Sequence, residues 1–204
     1  MVFLYDLTMP EILRRIAAAL IYAGLQGGIL GLLLRVMGDR RAHDEGRAGF
    51  SPFSHLLLSG VFLSIAFRMS WIEPLRFAKT APSARTRARL RPLVAVLASF
   101  AILLALVPLL DLVRAPLHQA LPRTAGYMVL ATIETLQFTL VGSVALGMLP
   151  LPGLLLGTTL PAIWPALDKR YRKLTGVGMA LAAVIVVLGW FPDVSPLVRA
   201  LKLV

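Results

Sequence analysis

The chain has 204 residues, 58% of them hydrophobic and only 15% charged, with a net charge of +11 and no cysteine. A soluble domain carries about a quarter charged residues and few sustained apolar runs, so a soluble enzyme or nucleic-acid-binding domain is excluded. Without cysteine there is no disulfide, no thiolate metal site and no thiol nucleophile. What remains is an all-α integral membrane protein, expected to be one membrane-embedded domain over 1–204.

The first apolar run, residues 12–37, is long enough to cross the ~30 Å hydrocarbon core of a bilayer. It continues past any plausible cleavage site, so it is predicted to be a span rather than a signal peptide. A polar stretch, GDRRAHDEGRAGFSPFSH, leads to a short run at 56–67. Its 12 residues are too few to cross comfortably. Further spans are expected at 93–113, 127–149 and 177–191, with a Pro/Gly-broken apolar segment at 151–165. The prediction is therefore about four full spans plus short or re-entrant segments at 56–67 and 151–165.

The short run decides the topology. If it turns back, everything from Arg35 to Arg91 shares a face with Lys169–Lys173. That face then carries 15 of the 21 Lys and Arg residues. Positive residues concentrate on the cytoplasmic side, so both basic loops are expected in the cytoplasm and both termini outside. The expected location is the bacterial inner membrane.

Within the first run, Ala19, Ala23, Gly27 and Gly31 recur at four-residue spacing. Small residues so spaced let helix backbones approach closely in lipid, which makes this stripe a candidate helix-packing interface, within the chain or with another subunit. The odd feature is Gln26-Gly27-Gly28, a polar residue and two helix-weakening glycines inside an apolar helix.

The loop after this helix supplies a context. Gly38-Asp39, Gly46-Arg47, Ser51-Pro52 with His55, Gly60, Trp71-Ile-Glu-Pro74 and the later GMLPLPGLLLG follow one another in an order and spacing that resembles the site-2 proteases. That is a family of intramembrane zinc metalloproteases. The resemblance covers most of the chain, with Ser51 where the family has asparagine. It implies a site-2-protease-like core in which a His-Glu-x-x-His helix and a later Leu-Asp-Gly aspartate bind zinc. The glutamate between the two histidines serves as general base.

Counted back from Gly38-Asp39, those positions fall on Gln26, Gly27 and Leu30, and the aspartate position falls on Leu155. All three ligands and the base are absent, and no His-Glu-x-x-His occurs anywhere in the chain. The implied protein is a catalytically degenerate homologue, with no metal and no cofactor. His43, His55 and His118 are scattered; only His43 has acids close by, Asp39 and Asp44.

Other polar residues have competing readings. Glu134 lies within the third full span, with Gln137 three residues on; an intramembrane carboxylate faces protein or water. It either pairs with Arg14, Arg15 or a partner's donor, or it serves a transporter or proton path. His55 either orders its loop by a hydrogen bond or ligates a haem-type metal. Lys79, Arg85, Arg87, Arg89 and Arg91 form a basic run without acids, suited to anionic headgroups or to an acidic partner surface. Trp71, Trp164 and Trp190 are expected to anchor span ends at the interface.

The function these residues favour is a non-catalytic subunit or assembly factor that packs against other integral membrane proteins, with no nucleic-acid partner. A respiratory or photosynthetic electron-transfer assembly is the kind of complex in view. The alternatives are a small transporter using Glu134, a pseudoprotease that binds single-span substrates without cutting them, and an active protease, which the missing ligands oppose.

Overall fold

The computed structural model describes residues 7–39, 49–73 and 86–202. Among them all regular structure is helical apart from one isolated bridge, Leu56 to Ile72. The helices are α1 (Met9–Val36), α2 (Leu58–Phe67), α3 (Thr86–Ala120), α4 (Arg123–Gly147), α5 (Leu155–Ile163), α6 (Asp168–Val187) and α7 (Ser195–Leu201). Short 3-10 turns at Pro52–Ser54 and Pro165–Leu167 precede α2 and α6.

Among the described residues three helices are long and apolar enough to cross a membrane: α1, α3 from Arg89 to Ala120, and α4. They pack against one another as the centre of the molecule. Their shared core holds Leu30 and Leu34 of α1, Ala95, Val96, Phe100, Leu103 and Val107 of α3, and Leu136, Leu140, Val141 and Val144 of α4. Lipid tails are as apolar as these side chains, so close fit and polar contacts hold the bundle rather than hydrophobic drive. Phe100 fits against Gly147, where an added Cβ would lie 2.9 Å from the ring.

The helices run further than the apolar runs that predict them. α1 starts at Met9 rather than Ile12, and α3 extends about two turns beyond 93–113 at each end, through Pro92, Pro108 and Pro116. α6 covers 168–187 rather than 177–191, and its first six residues are the charged DKRYRK. Its apolar part is therefore shorter than that of the three central helices.

The short run forms a hairpin that turns back. Leu56 pairs with Ile72, and the Glu73 amide donates to the His55 carbonyl at 2.8 Å, so both ends lie together. Between them α2 runs out and stops at Arg68, which adopts the left-handed conformation with φ 56°. The return strand is fastened to α4: the Ser70 amide donates to Ser143 Oγ at 2.7 Å. Trp71 is not an exposed interface anchor; it is 7% exposed and its indole N–H donates to Ser59 Oγ at 3.0 Å. Trp164 and Trp190 are exposed.

A second core joins the hairpin to the C-terminal region through Leu63, Trp71, Leu146, Leu154, Ala182 and Val186. Here the turn before α5 lies against α6. A Cβ on Gly178 would sit 2.1 Å from the Pro152 carbonyl oxygen, which is backbone and cannot swing aside. Gly178→Ala is expected to separate α6 from this turn at a cost of about 1–3 kcal/mol, read as a lower unfolding temperature in detergent. Further on, Asp193 fixes the start of α7, accepting from the Ser195 hydroxyl at 2.7 Å and the Ser195 amide at 2.9 Å. These hydrogen bonds, the hydroxyl's foremost, hold its carboxyl below the usual carboxylate range.

Candidate functional site

The small-residue stripe of α1 is covered by the chain itself. Ala19 and Ala23 are fully buried, and Gly27 and Gly31 are buried with them. The cover over the glycines is the segment entering the hairpin. A Cβ on Gly24 would lie 2.7 Å from the Phe50 carbonyl oxygen, and one on Gly28 would enter the Phe50 ring. At Gly27 the cover is His55, whose ring would come within 2.2–2.4 Å of an added Cβ. His55 is fully buried, and its Nε2 lies 3.0 Å from the Gly49 carbonyl oxygen. A carbonyl only accepts, so this bond places the ring proton on Nε2.

Gln26, one residue earlier on α1, is also fully buried and donates through Nε2 to Ser99 Oγ of α3 at 2.8 Å. Ser99 passes the bond on to the Val96 carbonyl at 2.7 Å. Leu30 and Leu155, far apart in sequence, belong to one apolar cluster. The four positions singled out in the sequence thus sit in a packed interior: Gln26 bonded across to α3, Gly27 beneath an imidazole, and Leu30 and Leu155 each within the same apolar cluster. Among the described residues no group of three or more His, Cys, Asp or Glu side chains could hold a metal ion. His43 and Asp44 lie outside the described residues.

Glu134 and Gln137 have different partners. Gln137 is fully buried at the contact with α3, where its Nε2 donates to the Val107 carbonyl at 3.0 Å and lies 3.5 Å from Asp111 Oδ1. Glu134 has a side chain 47% exposed and pairs with Lys202, just beyond α7, at 3.2 Å. Its partner is therefore neither Arg14 nor Arg15. Among the described acids of the central helices Asp111 is the most buried, its side chain 1% exposed against 11% for Glu11, and Arg114 meets it at 3.3 Å. An acid near the end of an apolar run is a signal in the sequence, although only the packing reveals its depth.

Arg14 and Arg15 instead serve Glu11. Arg14 donates to one carboxylate oxygen at 2.6 Å, Arg15 to the other at 2.8 Å, and Arg68 reaches the latter from the hairpin tip at 2.9 Å. Arg15 also donates to the Ile65 carbonyl at the end of α2, and Ser64 Oγ returns a bond to the Arg15 carbonyl at 3.1 Å. Arg68 and Lys202 both lie near the ring of Phe138, at 5.8 and 5.7 Å from its centroid. The spacing of Glu11 with Arg14 and Arg15 is legible as helical i,i+3 and i,i+4 pairing. Arg68 joins them only through the fold. It therefore does not share an end of the molecule with Arg35.

In the basic run, Arg91 is exposed and Arg89 half-buried near the start of α3. Lys79 and Arg85 lie outside the described residues, as does the side chain of Arg87.

Compared with protein-family models, curated proteins and solved structures, the chain matches none.

Proposed function

We propose that this chain is a non-catalytic membrane subunit or assembly factor, a degenerate relative of the site-2 proteases, which packs against other integral membrane proteins in a larger complex. In this reading α6 and the residues after it to Phe191 supply a fourth crossing, the hairpin is re-entrant, and the basic loops face the cytoplasm of a bacterial inner membrane. An electron-transfer assembly, respiratory or photosynthetic, is the first complex to test.

The observation that carries the reading is the packing at Gly27. A metalloprotease needs a general base and a metal-bound water with room to act on a peptide bond. Here glycine stands where the base would be, and a buried imidazole lies directly on it. Gln26, Leu30 and Leu155 contribute an amide and two hydrocarbon side chains, none a zinc ligand of the usual kind. A scaffold whose former site is filled still offers outer surface. α3 exposes Val94, Leu97, Ile102, Leu109 and Leu112, and only 33% of its most apolar stretch is buried within the chain.

Extraction from native membranes in mild detergent is expected to return the chain with partner subunits in fixed stoichiometry and without stoichiometric zinc. A monomer of undiminished stability overturns the proposal. So does one zinc per chain together with chelator-sensitive cleavage of a helical substrate.

A further inference from the structure

The charged cluster at the start of α1 has no part in that reading. Among the described residues, Glu11 is shared by Arg14, Arg15 and Arg68, and the group continues across Phe138 to Lys202 and Glu134. Four cationic side chains meet two carboxylates, a surplus of two positive charges. Placing charge in a low-dielectric setting is costly unless an opposite charge or water compensates it.

The position of the surplus says what could compensate it. α1 has 28 residues, and at 1.5 Å per residue it is ~42 Å long, against a hydrocarbon core of ~30 Å. Glu11, Arg14 and Arg15 occupy its first two turns, so a ~30 Å core set on the uncharged residues 16–34 of α1 leaves them at the level of the lipid headgroups. Arg15 is internal, with a side chain 6% exposed, whereas Arg68 is 42% exposed. Only one nitrogen of Arg68, Nη2, has a protein acceptor among the described residues. A guanidinium carries five N–H donors in a flat fork that matches two phosphate oxygens.

The backbone at Arg68 gives a second indication. Its φ of 56° is a conformation that glycine adopts without strain and arginine does not. The hairpin tip nevertheless carries a long cationic side chain, fixed on one side by Glu11 and on another by the Phe138 ring. Such fixing lowers the ordering cost of binding.

We propose that Arg68 and Arg14, flanked by Lys202, bind the phosphodiester of an anionic phospholipid at the membrane face that carries the start of α1. Glu11 acts as the positioning residue that gathers the guanidinium groups. The proposal is independent of the subunit function above.

The test uses the full chain purified in dodecyl maltoside. It is titrated separately with phosphatidylglycerol, with phosphatidylcholine of the same acyl chains, and with inorganic phosphate. Unfolding is followed by tryptophan fluorescence and retained lipid by native mass spectrometry. Phosphatidylglycerol is expected to stabilise the chain saturably and to be retained. Binding should weaken about tenfold in Arg14→Gln and in Arg68→Gly, each of which removes a charge-assisted contact. It should be unchanged in Arg172→Gln, which lies on exposed α6 surface. Arg68→Gly is the informative variant because glycine relieves the backbone while the charge is lost. An equal response to phosphatidylcholine, an equal response to free phosphate, or undiminished binding by Arg68→Gly overturns the proposal. Should Arg68→Gly fail to fold, Lys202→Gln at the edge of the cluster decides: severalfold weaker retention supports the site, and no change overturns it.

Discussion

Gly27→Ala is expected to lower the unfolding temperature of the chain by several degrees, and the loss should largely disappear in the double variant Gly27→Ala/His55→Ala. In an isolated helix this substitution gains up to about 1 kcal/mol, because alanine is the better helix former. Here the added methyl would come within 2.2 Å of His55 Cγ. The ring cannot simply rotate away. It is fully buried, bonded to the Gly49 carbonyl, and carried by a backbone that Glu73 holds from the other strand of the hairpin. Overpacking of a close-packed interior costs about 1–3 kcal/mol, and more when backbone must move, so the clash outweighs the helix gain. For chains of this size, each kcal/mol shifts the midpoint by roughly 2–4 °C. The measurement is a double-mutant cycle followed by circular dichroism in detergent. Additive single effects would mean that the ring does not rest on the helix, and would remove the main support for a filled site.

A second large effect is expected at Glu11. Removing one partner from a buried ion pair leaves unpaired charge behind and costs about 3–5 kcal/mol. Glu11→Ala strands three guanidinium groups at once, two of them on α1 and one at the hairpin tip. The consequence should be local as well as global. Limited proteolysis is expected to cut the 56–72 hairpin in Glu11→Ala under conditions that leave the parent chain intact. Asp168→Ala is the fitting control. Asp168 and Arg172 form a short pair of 2.7 Å, but Arg172 is 56% exposed, and surface pairs contribute only about 0–1 kcal/mol. If the two variants behave alike, the network around Glu11 does not hold the hairpin.

These two sites differ in how far the sequence announces them. The central helices are legible because hydrocarbon length alone selects them, and residues 12–37, 93–113 and 127–149 each fall on a long apolar helix. Their ends are less so. Apolar character stops at the first charge, whereas the helix continues through Glu11 and through Thr86–Arg91 because backbone hydrogen bonding does not depend on hydropathy. The shortness of 56–67 signals that something other than a crossing occurs there. The closure itself rests on the pairing of Leu56 with Ile72 and the hydrogen bond from the Glu73 amide to the His55 carbonyl, and carries no sequence pattern.

Polar partners were legible only where they are local. Glu11 with Arg14 and Arg15 can be read from helical spacing, yet Arg68 and Lys202 arrive from distant parts of the chain. Glu134 draws notice because it is an acid inside an apolar run. Asp111 is the more buried of the two because Val107, Asp111 and Gln137 face one another across the α3–α4 contact. Trp71 has the residue type and neighbourhood of an interface anchor. Its burial follows from the hairpin's return against α4 and α6.

The fastening of the hairpin to α4 has a consequence for the order in which the molecule is made. Residues 68–70 meet Phe138, Gly142 and Ser143, which are synthesised some seventy residues later. Until α4 is in place, Arg68 has only Glu11 to hold it, and the return strand has no Ser143 to receive its amide. The hairpin therefore fastens to the bundle only after α4 has been made, and the cluster it shares with Ala182 and Val186 of α6 is completed later still.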